Sequence, residues 1–582
     1  MRELARLLSY LGPRYRRDAI LGIFIVIVET SLEMFIPVLM ARIIDDGIAA
    51  GNAALIWHQG ALMMACAAAA LMLGLGYARF ASRASIGLGA NLRQAEYEHI
   101  QELSFANLDR YQTSSLVTRM TTDITVIQNA LANGFRPMVR GPVMLVMGLV
   151  YAVALNRGLA LVFAGILPVL AAVLGLITWR VAPRYRKLQD TMDELNGVLQ
   201  EDLTAVRAVK AYVREDHERK RFGHVNRSLA DTATATFGTA VMNVPAFQAS
   251  MYVAATLILW IGGHKILAGE LQVGELTGFM SYVLQIMNSL MMISGVFLLL
   301  TRALTSVERV GQVLDERPVQ ALPAPEHTVA EVADGSISFR DVSFRYEEDA
   351  EEDVLSHIDL DIATGETIGI LGGTGSGKTT LVQLIDRLYD ASAGTVLVGG
   401  HDVRDYQPAT LRTAVGFALQ KNVLFTGTVR DNLRWGAPDA TDEQMLEACR
   451  VACADEFLDR IGGLDADLGQ DGAGVSGGQR QRLCIARTLL THPKILVFDD
   501  ATSACDMATD AKIRANIAQI EGVTVIVIAQ RVVSVEGADR IIVMDDGRIH
   551  GAGTHEELLA ADEIYREIYQ SQNLTDEEVH HA

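Results

Sequence analysis

Long apolar segments are concentrated in the first 305 residues of the 582-residue chain, whereas charged and turn-forming residues fill the remainder. A helix needs about 20 mostly apolar residues to cross the hydrocarbon core of a bilayer. Six segments approach that requirement: 19–44, 56–80, 137–155, 159–181, 241–267 and 276–304. The pattern predicts a membrane half of six helices followed by a soluble half.

The connections between these segments alternate in length. Short loops join segments one and two, three and four, and five and six, while charged stretches with helical character occupy 81–136 and 182–239. Lys and Arg recur in both long stretches, and five arginines precede the first segment: Arg2, Arg6, Arg14, Arg16 and Arg17. Because basic loops favour the cytoplasmic side, we expect the N-terminus, both long stretches and everything after segment six to be cytoplasmic. The N-terminus lacks a small-residue cleavage site, which predicts a retained first membrane segment.

Several polar or polarisable side chains lie inside the predicted membrane segments. Glu29 and Glu33 are one helical turn apart in the first segment, and Gln285 and Asn288 lie in the sixth. Such residues usually face a protein interior or a wet cavity. They could line a substrate path or form hydrogen bonds between helices. The methionines of segment six could likewise form an adaptable substrate surface or simply pack: Met280, Met287, Met291 and Met292.

Composition removes several classes of function. The net charge of −20 argues against a general nucleic-acid binder, which would carry a basic face. The five cysteines have neither a disulfide-rich nor a metal-ligand spacing: Cys66, Cys449, Cys453, Cys484 and Cys505. Cys449 and Cys453 are one turn apart, but no second pair or histidine joins them, so we expect them to pack in a core.

The soluble half contains a phosphate-binding loop. Residues 336–346 alternate as a strand does, and the short apolar run 366–371 leads into a GxxxxGK[ST] motif ending at Thr379. Its glycines allow backbone N–H groups to turn toward phosphate oxygens, and the following helix adds its positive N-terminal end. In this interpretation Lys378 reaches the β- and γ-phosphates, and Thr379 is a Mg²⁺ ligand.

Two further motifs follow the loop. The apolar run 494–500 ends in Asp499, placed to hold the Mg²⁺ shell, and Asp500, placed to face the attacking water. Between these motifs a Gly-rich turn opens a predicted helix with Ser476, Gly477, Gly478 and Gln479. Its N-terminus is a second anion-binding end. One chain cannot easily place both ends on one γ-phosphate, whereas two facing chains can.

The SGGQRQR sequence, lying between the phosphate loop and the strand ending in Asp499, is similar to the signature of ATP-binding cassette (ABC) proteins. With six membrane segments in front, nearly the whole chain resembles an ABC exporter half-transporter, and the resemblance ends near Ser571. It implies an α-helical transmembrane bundle and an α/β P-loop cassette. The corresponding boundaries are 1–315 for the membrane domain, 316–334 for a linker, 335–571 for the cassette and 572–582 for a disordered acidic tail.

The resemblance also implies roles for individual residues. Tyr346 resembles the aromatic residue that stacks on adenine, Gln420 resembles the glutamine that joins the Mg²⁺ site to the membrane half, and Asp506 belongs to a loop touching the opposite cassette. Segments 113–123 and 203–216 resemble those that flank the coupling helices. The expected nucleotide-binding residues are Tyr346, Gly372, Gly373, Thr374, Gly375, Ser376, Gly377, Lys378, Thr379, Thr380, Gln420, Ser476, Gly477, Gly478, Gln479, Asp499 and Asp506. The expected Mg²⁺ ligands are Thr379, Gln420 and Asp499.

Two catalytic positions depart from the family pattern. Asp500 occupies the place of the usual glutamate, and Gln530 that of the usual switch histidine. A carboxylate one methylene shorter is withdrawn from the water, and such misplacement can cost on the order of a hundredfold in rate. Glutamine cannot carry the positive charge available to histidine. Together they resemble the degenerate-site subunit of heterodimeric multidrug-type exporters.

These features predict ATP- and Mg²⁺-dependent export of a small amphipathic or lipophilic substrate across a prokaryotic cytoplasmic membrane. The expected partners are a second half-transporter, the lipid bilayer and the substrate, with no nucleic acid. A slow homodimeric exporter and an ATP-gated conduit or regulatory membrane protein are the alternatives. The resemblance alone implies the outward direction.

Overall fold

A computed structural model of the chain describes residues 6–7, 9–324, 328–347 and 350–573. The chain divides into two compact units. The first comprises Met1–Gln101 and Thr113–Glu316, and the second comprises Glu102–Gln112 and Arg317–Ala582. Of the predicted tail, 572 and 573 belong to the last helix, and 574–582 lie outside the described residues.

The first unit is entirely helical in its described part. Its helices are α1 (Gly12–Arg42), α2 (Ala53–Glu102), α4 (Thr113–Thr118), α5 (Ile124–Leu155), α6 (Arg157–Thr204), α7 (Val206–Ala211), α8 (Glu215–Ala240), α9 (Asn243–Leu267) and α10 (Val273–Asp315); the short helix α3 (Phe105–Asp109) belongs to the second unit. π-Helical turns at Ile43–Ile48 and Arg119–Asp123 extend α1 and precede α5. Six helical segments of the described chain are long and apolar enough to cross a membrane, which confirms the predicted number.

These helices are longer than a bilayer requires. Helix α10 has 43 residues, which at about 1.5 Å per residue gives a length of about 65 Å, roughly twice the hydrocarbon thickness. Helices α2 and α6 are longer still, with 50 and 48 residues, so each continues from a membrane segment into one of the two charged stretches.

Glycines let α5 and α10 approach closely. A Cβ on Gly141 would lie 2.8 Å from Ile293 Cγ1, and one on Gly148 would lie 2.7 Å from Ile286 Cγ1. Small residues permit such approach in membranes, where association depends on packing. On the same bundle, the buried Tyr282 hydroxyl donates to the Met34 carbonyl at 2.7 Å and thus joins α10 to α1.

The second unit is an α/β domain with two sheets. Its strands are β1 (Ile337–Phe344), β2 (Leu355–Ile362), β3 (Thr367–Gly372), β4 (Ala393–Val398), β5 (His401–Asp402), β6 (Val415–Ala418), β7 (Ile495–Asp499), β8 (Thr524–Ile528), β9 (Arg540–Asp545) and β10 (Arg548–Gly553). An antiparallel sheet has the order β2-β1-β4-β5, and a larger sheet has the order β10-β9-β3-β8-β7-β6. In the larger sheet the strands from β9 to β6 are parallel, and β10 is antiparallel.

Helices of the second unit complete this α/β domain. They are α3, α11 (Lys378–Ile385), α12 (Pro408–Ala414), α13 (Val429–Leu433), α14 (Asp442–Val451), α15 (Asp455–Ile461), α16 (Gly477–Leu489), α17 (Met507–Ile517), α18 (His555–Ala561) and α19 (Glu563–Asn573). Two large apolar cores lie within the unit. Cys449 and Cys453 are buried in the second core, as expected from packing.

The topology explains why functional side chains from different motifs lie at one edge of the larger sheet. Ligands of open parallel sheets bind outside the carboxyl ends of the strands. In this sheet β3 ends at the phosphate-loop sequence, β7 ends at Asp499, and Gln420 lies two residues beyond β6. The fold thus directs three separate motifs of the sequence to one edge.

Candidate functional site

The phosphate loop joins β3 to α11 in a conformation that requires glycine. Gly372 has a φ of +154° and Gly377 a φ of +90°. A Cβ on Gly372 would lie 2.1 Å from the Met544 carbonyl oxygen, and one on Gly377 would lie 2.7 Å from Leu355 Cδ2. Gly373 and Gly375 have open space where a Cβ would lie. The loop is therefore packed against β9 on one side and accessible on the other.

Lys378 is folded over this loop. Its Nζ donates to the carbonyl oxygens of Gly372 at 3.0 Å and Gly373 at 2.6 Å, and it lies 3.3 Å from Ser376 Oγ. Burial lowers the pKa of the Lys378 ammonium, against the opposing effect of Asp499 and Asp500. The ammonium group is held over the loop by hydrogen bonds to loop oxygens. Phosphate oxygens of a nucleotide can replace these loop oxygens as acceptors.

The proposed metal ligands of the loop and of β7 are adjacent. Thr379 Oγ1 donates to Asp499 Oδ1 at 3.0 Å. Asp499 is 2% exposed, and burial raises the pKa of its carboxyl. The β6–β7 register pairs Ala418 with Phe498, which places exposed Gln420 at the same sheet edge. A hydroxyl, a carboxylate and an amide oxygen fit Mg²⁺, which takes oxygen ligands and usually shares them with substrate phosphates. Among the described residues, no cluster of three or more His, Cys, Asp or Glu side chains could hold a metal.

The two residues that depart from the family pattern contact each other. Gln530 Nε2 lies 3.4 Å from Asp500 Oδ2. Asp500 has a φ of +51°, and its N–H donates to the Ile528 carbonyl at 3.1 Å. Burial raises the pKa of the Asp500 carboxyl, whereas Ser503, Arg531 and Lys378 oppose the shift. The short carboxylate is thus tied to a neutral amide at the end of β7.

Gln572 contacts Gln530, and no sequence motif marks it. Its Nε2 donates to the Gln530 carbonyl at 2.7 Å, and its Oε1 accepts from the Val532 N–H at 2.8 Å. These bonds connect the last described helix to the loop after β8. Gln572 lies in the segment predicted to be an acidic tail, 42 residues after Gln530, so sequence proximity does not indicate these bonds.

Tyr346 has one partly free face beside the phosphate loop. Its side chain is 47% exposed, and its hydroxyl lies 2.9 Å from Thr380 Oγ1. The ring makes edge contacts with Phe344, at a centroid distance of 4.9 Å, and Tyr389, at 5.2 Å. Stacking on an adenine is compatible with this position, since an exposed aromatic face remains available.

The signature segment forms a capped helix N-terminus. The Ser476 N–H donates to Gln479 Oε1 at 2.9 Å, and the Gln479 N–H donates to Ser476 Oγ at 3.4 Å. These reciprocal bonds are a capping box. Gly477 and Gly478 follow in α16, and a Cβ on Gly478 would lie 2.8 Å from the Ala504 carbonyl oxygen. The N–H groups of Gly477 and Gly478, in the first turn of α16, have no partner within the helix and can bind an anion.

Asp506 has a structural contact of its own. Its carboxylate accepts from the Thr509 N–H at 2.9 Å and from Thr509 Oγ1 at 2.8 Å, which caps α17. The backbone and side-chain bonds from Thr509 lower the pKa of this carboxyl. Gln481 joins the same loop to the signature helix through Ala504 N, at 2.8 Å from its Oε1. The loop containing Asp506 is therefore fixed relative to Ser476–Gln479.

In the membrane unit, the acidic pair of α1 faces arginines of α5. Glu29 pairs with Arg136, and Glu33 pairs with Arg140. Arg140 Nη1 also lies 3.7 Å from Glu29 Oε1. Glu29 and Glu33 are four positions apart on α1, and Arg136 and Arg140 are four positions apart on α5. The acidic face of α1 therefore lies against the basic face of α5. This geometry favours the inter-helix interpretation of Glu29 and Glu33.

The polar residues and methionines of α10 are divided between the helical core and the surface. Met287 is buried, Met280 and Met292 pack against the same core, and Met291 is exposed. Gln285 is partly buried, and Asn288 is exposed. Packing therefore accounts for three of the four methionines.

Family models match both halves of the chain. The model described as "ABC transporter transmembrane region" matches residues 19–290, and the model described as "ABC transporter" matches residues 355–503. An uncharacterized ABC transporter ATP-binding protein of Mycobacterium tuberculosis is 37% identical over 576 residues, which cover 98% of each chain. The chain belongs to the ABC transporter family.

Other relatives agree over similar lengths. A Bacillus subtilis protein provisionally named a multidrug export ATP-binding/permease protein is 29% identical and covers 99% of this chain and 100% of its own. The structure of a bacterial Atm1-family ABC exporter with ATP bound has a TM-score of 0.79 and 25% identity, and the match covers 96% of this chain and 99% of that one. The resemblance to an ABC exporter half-transporter is thus confirmed.

Membership of the family establishes the general activity. The protein is an integral membrane ABC transporter of exporter type, in which ATP hydrolysis is coupled to transport. Its cassette binds ATP, and it acts as a dimer in the lipid bilayer.

Proposed function

We propose that this chain is the slow-site half of an ABC exporter for a small amphipathic or lipophilic substrate. The contact between Asp500 and Gln530, beside a complete phosphate loop and signature turn, carries the proposal. The outward direction draws support from the exporter fold of the structural relative and from the name of the Bacillus subtilis relative.

ATP binds across the carboxyl edge of the larger sheet in this account. Tyr346 stacks on adenine, and Gly372–Thr380 surround the phosphates. Mg²⁺ is held by Thr379, Gln420 and Asp499, with the phosphates as remaining ligands. The Thr379–Asp499 contact and the position of Gln420 beyond β6 support this assignment.

Hydrolysis at this chain's own site is slow because the base is misplaced. Asp500 is one methylene shorter than glutamate, and its carboxylate is engaged by Gln530. Gln530 has no charge to stabilise a developing γ-phosphate anion. Retained ATP then favours the closed dimer without being consumed, which is a population shift through differential binding.

A different half-transporter supplies the fast site. The capped turn from Ser476 to Gln479 is intact, so this chain can complete a competent site on its partner. We expect that partner to have a glutamate after its Mg²⁺-binding aspartate and a switch histidine. Asp506 lies on the loop that faces the opposite cassette in this arrangement.

The proposed location is a prokaryotic cytoplasmic membrane, with the N-terminus and the cassette in the cytoplasm. The support is the distribution of arginines before α1 and in the long connections.

Native purification tests the heterodimer. The tagged chain is extracted from its own membrane in mild detergent, and the masses and molar ratio of the recovered proteins are determined. We expect a second half-transporter at equal stoichiometry, carrying both catalytic residues that this chain lacks. A complex that contains only this chain would contradict the heterodimer and imply a slow homodimeric pump or an ATP-gated conduit.

A further inference from the structure

We infer that the beginning of α1 and the facing part of α2 form a binding site for the headgroup of an anionic phospholipid. All residues of this site belong to the membrane unit. None of them takes part in the ATP site or in the ion pairs between α1 and α5. The inference therefore does not depend on the proposed cargo or on the proposed slow ATP site.

The site is a pocket of about 240 Å³ between the two helices. Arg14 and Tyr15 line it from α1, and the part of α2 between Ser82 and Ala90 lines it from the other side. Gly87 lets the helices approach here, because a Cβ on it would lie 2.5 Å from Tyr15 Cζ. A water molecule takes up about 30 Å³ in the liquid, so the pocket has room for a phosphate group.

Arginines dominate the charge at this pocket. Arg14 is exposed, and the side chain of Arg83 is 39% exposed. Among the described residues, Arg14 has no ion-pair partner, and Arg83 has only Asp18, at 3.6 Å from its Nε. Three more exposed arginines lie within four positions of Arg14 or Arg83: Arg16, Arg17 and Arg79. Because guanidinium groups bind phosphate through paired N–H donors, the pocket is suited to a phosphate anion.

Asp18 is the opposing charge beside the pocket. It is 8% exposed, and its Oδ2 has no hydrogen-bond partner among the described residues. Its carboxylate attracts Arg83 and lowers the positive potential that an anion would experience. Neutralising Asp18 should therefore strengthen anion binding, whereas removing the arginines should weaken it.

The two lining arginines lie at the depth of lipid headgroups. Arg14 precedes the apolar segment 19–44 by five positions, and Arg83 follows the segment 56–80 by three. At about 1.5 Å per helical residue, both lie within about 8 Å of the hydrocarbon core. The headgroup layer on each side of that core is about 5–8 Å thick. Both guanidinium groups can therefore reach the phosphates of one leaflet, as in other basic pockets between membrane helices.

The surface next to Arg14 favours a lipid over a soluble phosphate. Leu21 and Phe24 follow Arg14 at helical spacing on α1, and they are 42% and 63% exposed. This face of α1 thus changes from cationic to apolar toward the hydrocarbon core, which matches the headgroup and acyl chains of one lipid. Phosphatidylcholine fits less well, because its choline cation would lie among the arginines.

Photo-crosslinking of the full native complex tests the site. The complex is placed in phosphatidylcholine nanodiscs that contain a trace of phosphatidylglycerol with a photoreactive diazirine on its headgroup, and the labelled peptides are identified by mass spectrometry. We expect labelling within 12–18 and 79–90 that excess phosphatidylglycerol suppresses several-fold and excess inorganic phosphate does not. The same diazirine on phosphatidylcholine should label these peptides several-fold less.

Variants separate recognition of the headgroup from loss of structure. Arg14→Ala/Arg83→Ala should reduce the labelling at least about fivefold. Arg14→Lys/Arg83→Lys keeps both charges and a cation beside Asp18, so it should retain most of the labelling. Asp18→Asn should increase the labelling, a gain that a damaged bundle would not produce. Arg180→Ala is the matched control, since it removes an exposed arginine at the end of the apolar segment 159–181, and it should leave the labelling unchanged.

The inference is overturned if the two lipid probes label these peptides equally, or if Arg14→Ala/Arg83→Ala leaves the labelling unchanged. Competition by inorganic phosphate as strong as that by phosphatidylglycerol would also overturn it and indicate a site for soluble anions. Equal losses in the alanine and lysine variants, without a gain in Asp18→Asn, would show that these residues support the local structure and do not recognise the headgroup.

Discussion

At the scale of single residues, the slow site proposed for this transporter depends on two side chains that contact each other. Asp500 and Gln530 are 3.4 Å apart at the ends of neighbouring strands. The sequence identified both positions through their motifs. It could not show that the amide engages the carboxylate, or that Gln572 fixes the Gln530 backbone, because these contacts depend on side-chain direction and on a helix without a motif.

Restoring the family residues should accelerate hydrolysis at this site. In Asp500→Glu/Gln530→His, the longer carboxylate reaches the water and the histidine can carry charge. We expect the ATPase rate attributable to this site to rise by about ten- to a hundredfold. The rate is measured on the purified native complex.

Lys378→Ala combined with the same double substitution provides the baseline, since it removes the phosphate-binding cation of this site alone. An increase that persists in this control would have to originate elsewhere. No increase in the double variant would mean that side-chain length and charge do not limit the site.

At the scale of elements, the six membrane helices and the order of the cassette motifs were predictable, because both follow from hydrophobic length and local motifs. The pairing of α1 with α5 was not. Glu29 and Glu33 were recognised as unusual, but Arg136 and Arg140 were not matched to them. The signal was present in the sequence as two pairs with four-residue spacing, yet only the fold shows which helices are neighbours.

This α1–α5 pairing should stabilise the bundle. Glu29 is 2% exposed, whereas the side chain of Arg136 is 38% exposed, so Glu29→Ala leaves a partly exposed guanidinium without its main partner and should cost less than the about 3–5 kcal/mol of a fully buried pair. We expect a clear fall in the apparent Tm and in the yield of monodisperse complex, measured by fluorescence-detected size-exclusion chromatography after heating.

The double variant Glu29→Ala/Arg136→Ala should recover part of that loss, because no unpaired charge remains. Glu270→Ala is the matched control, since it breaks the exposed 3.0 Å pair with Lys265, for which about 0–1 kcal/mol is expected. Equal losses from Glu29→Ala and Glu270→Ala would contradict a structural role for the buried pair.

At the scale of the whole molecule, ATP-driven transport follows from the union of a six-helix membrane region with an ATP-binding cassette in one chain. The sequence predicted this union because each half carries its own signal. It could not specify the cargo, since the fold alone does not select a substrate, and two of the four polar membrane residues that could line a substrate path, Glu29 and Glu33, are engaged in ion pairs. The asymmetry of the dimer is the point on which the proposed mechanism depends.

The most direct test is to determine which nucleotide remains on this chain during turnover. The native complex is supplied with azido-ATP radiolabelled at either the α- or the γ-phosphate, exposed to light at steady state, and separated into its subunits. We predict comparable α- and γ-label at this chain's Lys378-dependent site, because ATP remains intact there, and mostly α-label at the partner's site. Loss of the γ-label from both sites would contradict a slow ATP site in this chain.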